Sequence, residues 1–185
     1  MERRLRLSVL RALWMLAVSC SLAAGVAAAQ QPPPAPNPLD QLGWLAGGTW
    51  TAEEPASNGP PLTVRLHCRW APTNKAILFD VNFFSAGRET PQYDGMYVWH
   101  PGKGKLVLWQ VNRKGEVAEG ELTLNGREMD QTVHVSHPDG TAHFLKAHYT
   151  RLGDDSFRFK AFFRVSESDP WQEALELVYT RGAKP

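Results

Sequence analysis

From residue 49 onward, apolar and polar side chains alternate almost one by one to the end of the chain. Leu62, Val64, Leu66, Cys68 and Trp70 interleave with Thr63, Arg65, His67 and Arg69. Ile77, Phe79, Val81 and Phe83 interleave with Leu78, Asp80 and Asn82. A period of two sends successive side chains to opposite faces of an extended chain, so each run predicts a half-buried strand. Breaks fall at Pro101-Gly102-Lys103-Gly104, Asn112–Gly115, Asn125-Gly126, Pro138-Asp139-Gly140, Gly153-Asp154-Asp155 and Ser168-Asp169-Pro170. Asn-Gly and Asp-Gly between alternating runs are hairpin signals. Strands are therefore expected near residues 48–54, 62–71, 75–85, 92–100, 104–112, 115–124, 127–137, 141–151, 156–167 and 171–181.

About ten antiparallel strands joined by short turns must either close on themselves or leave two long edges exposed. The pattern predicts an all-β, antiparallel up-and-down barrel. A sandwich with Greek-key crossovers is the alternative, but it needs longer connections than these. Ahead of the first strand, apolar residues at Leu39, Leu42, Leu45 and Ala46 suit one or two helical turns, which Gly47-Gly48 ends.

The N-terminus has a different pattern. Arg3, Arg4, Arg6 and Arg11 precede an apolar stretch from Leu13 to Val26 that ends in Ala27-Ala28-Ala29. A basic start, an apolar middle and a small-residue ending read as a secretory signal peptide over residues 1–29, cleaved before Gln30. A retained anchor fits less well, because Ser19, Cys20, Ser21 and Gly25 dilute the run and no basic stop-transfer flank follows. A lipoprotein modified at Cys20 is the minor alternative. Residues 30–38, with five prolines in nine positions, read as an extended linker. The barrel domain then spans residues 39–185, and the expected location is periplasmic or secreted.

Charge adds little. The 20 Lys and Arg against 19 Asp and Glu predict no basic face for nucleic acid. Removing the N-terminal arginines leaves the remainder slightly acidic. Only Cys68 would survive cleavage, so no internal disulfide is expected. Its place among Val64, Leu66 and Trp70 reads as a small core residue.

The opening WLAGGTW places Gly48-Thr49-Trp50, a G-x-W, at the start of the first strand, and WQEALELVYTR puts Arg181 at the end of the last. This pairing resembles the calycin barrels, which include the lipocalins and the fatty-acid-binding proteins. The resemblance implies that Trp50 closes one end of the barrel with Arg181 packed across its ring, a favourable cation–π contact. Together with YDGMYVWHP, the chain looks like exported bacterial lipocalin-like proteins. The haem-carrying nitrobindin barrels share a similar opening and carry their iron on a His near the C-terminus. Here the last His is His148, and nothing from Tyr149 to Pro185 takes that role.

A barrel of this size can hold a lumen. Candidate ligand-binding residues are Arg65, His67, Trp70, Phe79, Tyr97, Trp99, Trp109, Phe159 and Tyr179. Phe83, Tyr93, Phe157 and Phe163 are further aromatic candidates, and Gln110, Asn112 and Arg164 further polar ones. His137 and His143 would share a face if His137 pairs with Thr141, with His134 pointing away; with Asp139 they would make at most a weak surface ion site. No G-x-S-x-G, P-loop, H-E-x-x-H or C-x-x-C occurs, and pairs such as Glu119 and Glu121 read as a solvated strand face.

The residues point to an exported barrel binding a small hydrophobic or amphipathic ligand. The alternative is an envelope interaction or structural module whose barrel is filled by its own side chains. An enzyme acting on a hydrophobic substrate, with His67 the first residue to examine, and a haem-binding barrel stand behind these. No catalytic residue, metal site, cofactor or nucleic-acid partner is expected, and no transmembrane segment after cleavage. Ligand identity and oligomeric state are not legible.

Overall fold

The alternating runs become ten strands in a computed structural model that describes residues 36–54 and 60–182. They are β1 Gly48–Glu54, β2 Leu62–Trp70, β3 Ala76–Ser85, β4 Arg88–His100, β5 Lys105–Asn112, β6 Val117–Asn125, β7 Glu128–Ser136, β8 Ala142–Arg151, β9 Ser156–Arg164 and β10 Gln172–Arg181. Each strand pairs antiparallel with its sequence neighbours, and β1 pairs with β10 through Trp50↔Arg181 and Thr51↔Thr180. The sheet is thus a closed up-and-down barrel, with no Greek-key crossover and no free edge. The proposed signal peptide and residues 30–35 of the linker lie outside the described residues.

The N-terminal helical element is minor, within the one or two turns the sequence suggested. Among the described residues, Pro38–Leu42 forms a 3₁₀ turn, capped by the Asn37 side chain accepting from the Leu39 N–H at 3.2 Å. Leu39, Leu42 and Leu45 are nonetheless fully buried. They press on one end of the barrel, where Trp50 also lies buried and its indole Nε1 donates to the Leu45 carbonyl at 2.9 Å. Trp44 and Phe157 meet the Trp50 ring edge-on, at centroid distances of 6.0 and 5.0 Å. The Arg181 guanidinium carbon sits 4.1 Å above the Trp50 ring centroid, and its Nη2 donates to the Trp44 carbonyl. A Cβ on Gly48 would come within 2.8 Å of Arg181 Nη1, so the glycine of the G-x-W leaves room for the stacked arginine.

β4 begins at Arg88, earlier than the alternation suggested, because the chain pairs straight through Pro91. The register slips between Val81 and Asn82, with Val81 opposite Tyr93 and Asn82 opposite Pro91. A proline lacks the N–H that a ladder needs, and a bulge is where a closed sheet tolerates it. β3 and β4 are joined by Ala86-Gly87, both at positive φ, in a two-residue turn closed by Ser85↔Arg88.

Candidate functional site

Side chains at alternate positions fill one half of the barrel and leave the other open. The half that carries the Trp50 plug is packed solid with Cys68, Ile77, Met129 and Phe157, all essentially inaccessible. Toward the opposite end lies a cavity of about 450 Å³, within the range of small-molecule sites. Its wall is mostly aliphatic and aromatic: Val64, Leu66, Phe79, Val81, Leu108, Val133, Leu145, Phe159 and Leu177. Leu62, Phe83, Tyr93, Gln110 and Leu175 line the part nearest the strand ends that bear the β1–β2, β3–β4 and β9–β10 connections.

Small residues explain why the space stays open. Ala147 of β8 faces Ala161 of β9 directly, and both line the cavity. Gly95 lies beneath the Phe79 ring, which a Cβ would meet at 2.3 Å, so the glycine lets that ring lie flat against the wall. A ten-stranded circumference is also wider than the eight strands that side chains alone fill.

At the inner end of the cavity is its polar feature. Gln131 is 3% exposed, and its Nε2 donates to the Tyr97 hydroxyl at 3.0 Å. The Tyr149 hydroxyl completes the group through contacts with both, and Tyr179 stands beside it; all four residues line the cavity. Burial pushes the phenols of Tyr97, Tyr149 and Tyr179 well above the ordinary tyrosine range, so each keeps its proton. The floor of the lumen is therefore neutral and rich in O–H and N–H groups. Burial likewise pushes the Cys68 thiol up, with Asp80 adding to the effect, so its sulfur is an inert core group.

At the barrel end where β7 and β8 meet, His137 and His143 do share a face. The His137 N–H bonds the Thr141 carbonyl at 2.9 Å, His137 Nε2 lies 2.7 Å from His143 Nδ1, and His137 Nδ1 lies 3.1 Å from Glu116. Asp139 does not join them, since it accepts from the Thr141 N–H and hydroxyl and closes the turn. Among the described residues, no group of three His, Cys, Asp or Glu is placed to hold a metal ion.

The candidate residues divide by face. Phe79, Tyr97, Phe159 and Tyr179 line the cavity, as do Phe83, Tyr93 and Gln110. Arg65, His67 and Trp109 stand outside, because each lies between two inward-facing neighbours on its strand. There Arg65 covers the Phe84 ring at 4.1 Å, His67 meets Asp80 at 3.3 Å and the Trp109 indole donates to Glu119 at 2.9 Å. His67 is therefore not a titratable group inside the lumen. Trp70 and Trp99 pack against the core but do not line the cavity. Arg164 spans Phe144 and Trp171, while Asn112 bonds Glu116 across its turn. Gln131 and Tyr149 went unrecognised in the sequence. The available signal was a glutamine in the apolar register Met129, Val133, Val135.

The lumen does not suit an iron held by histidine. Its lining contains no histidine, and His148 points outward between Glu128 and Asp130. Among the described residues, no helix is long and apolar enough to cross a membrane.

No protein-family model matches the chain, and no curated protein matches it. Among solved structures, the fold is similar to the crystal structure of Rv2717c from M. tuberculosis, with a TM-score of 0.57 and 17% identity. The match covers 80% of this chain and 99% of that one, a likeness of fold.

Proposed function

We propose that this chain is an exported, calycin-like barrel that holds a small, largely hydrophobic molecule in its lumen. The observation that carries the reading is the cavity of about 450 Å³ walled by apolar side chains and floored by one polar cluster. A barrel serving only as a structural module has no need of that space. Each side chain facing a void forgoes dispersion contacts that a filled core would make. The stacking of Arg181 on Trp50 supports the calycin resemblance. The basic, apolar and small-residue succession over residues 1–29 supports export.

Native mass spectrometry on the full chain, expressed with its N-terminal segment and purified from the periplasm without detergent, tests the reading. The expected spectrum shows a chain starting at Gln30, carrying a discrete added mass that denaturation removes. A bare chain that also takes up no apolar probe on titration would contradict it.

A further inference from the structure

The lumen has a feature that a general container for greasy molecules does not need. Tyr97, Gln131, Tyr149 and Tyr179 converge at its inner end and all four border the open space. A buried polar group without a partner is costly, so such a cluster either satisfies itself or awaits a ligand atom. Gln131 and Tyr97 satisfy each other in part. Tyr179 lines the cavity beside Tyr149, its ring stacked on Phe157 at a centroid distance of 4.8 Å, and burial pushes its phenol up so that it keeps its proton. A protonated phenol on the cavity wall can offer its O–H to a molecule that fills the space.

The charged groups at the border do not serve this end. Glu54 is the last residue of β1, at the mouth, and Lys146 alternates with the inward-facing Leu145 and Ala147. Arg181 is committed beneath the floor, to Trp50 and the Trp44 carbonyl. A carboxylate driven into the inner end would lose its water and meet no cation there. A neutral oxygen would lose far less and gain a phenol donor.

We propose that the lumen selects uncharged apolar molecules carrying one ketone, ester or hydroxyl oxygen, seated with that oxygen on the Tyr97–Gln131–Tyr149–Tyr179 cluster and the hydrocarbon toward the mouth. This rests on the lumen being a ligand site, and the experiment separates the two claims. Nile red, a neutral apolar dye, is bound to the protein and displaced with 2-dodecanone, 1-dodecene or dodecanoate, which share a twelve-carbon chain. The ketone is expected to compete about five- to tenfold better than the alkene, the worth of one neutral hydrogen bond, and better than the carboxylate. Tyr179→Phe and Tyr149→Phe should each bring the ketone-to-alkene ratio, read within that variant, toward one. Dodecanoate matching or beating the ketone, or an advantage that survives both phenylalanine variants, overturns the selectivity and leaves the lumen as a binding site. Failure of the dye to bind, or of all three to displace it, overturns the lumen reading and this inference with it.

Discussion

A tyrosine at the end of an apolar cavity costs more than a phenylalanine unless its hydroxyl has a use. Tyr97 meets Gln131 and Tyr149, and the same logic governs the other end of the barrel, where the Trp50 indole is buried only because Leu45 offers it a carbonyl. Trp50→Ala removes the central ring of that plug. Thermal or denaturant unfolding should show a loss of about 3–5 kcal/mol, as for large aromatic truncations. Arg181→Ala should cost less, about 1–3 kcal/mol, through the lost cation–π contact and the orphaned Trp44 carbonyl. Unchanged unfolding of both variants would contradict the closure assigned to this pair. The pair was legible in the sequence because it occupies the first and last strands of a recognisable pattern. Gln131 and Tyr149 were harder to see, because their role depends on β4, β7 and β8 bringing side chains to one point of the lumen, a long-range relation that no local period encodes.

Strand alternation decides which side a residue faces once one member of the strand is placed. Phe79 and His67, equally plausible lumen residues in the sequence, part company for this reason alone. Strand number and most boundaries were readable from alternation and turn chemistry. The start of β4 was not, because Pro91 looks like a stop until the bulge beside it at Gln92 is seen. The β3–β4 turn offers a test at this scale. Its first central residue, Ala86, sits at φ 51 and is exposed, a conformation that disfavours a Cβ. Ala86→Asn or Ala86→Gly, residues that suit a type I′ turn, should raise stability by up to about 1 kcal/mol. A fall in the unfolding midpoint would show that the turn is not the one described.

For the molecule as a whole, one pH response arises at the barrel end that carries the β7–β8 turn. Burial, and then the charge of the adjacent His137, hold the His143 imidazole below its ordinary pKa, with Glu116 opposing and His134 reinforcing the shift. The unfolded chain therefore binds the proton more readily. Stability is full above the ordinary imidazole pKa of about 6.5 and declines as pH falls from there toward the depressed folded value. His143→Gln should flatten that decline in unfolding midpoints measured between about pH 7 and pH 5. A decline that persists unchanged assigns it elsewhere.

Closure of ten strands yields a wall, and small residues keep that wall from filling its own interior. The open lumen is the central claim, and the facing pair Ala147 and Ala161 lines it with small side chains. The most direct measurement compares wild type with Ala161→Trp for Nile red binding and thermal unfolding. An indole entering empty space should abolish dye binding and leave the melting temperature unchanged or higher. An indole forced into a filled core should instead lower it sharply, since overpacking costs about 1–3 kcal/mol. That loss, together with a wild-type barrel that binds no dye, would contradict the account.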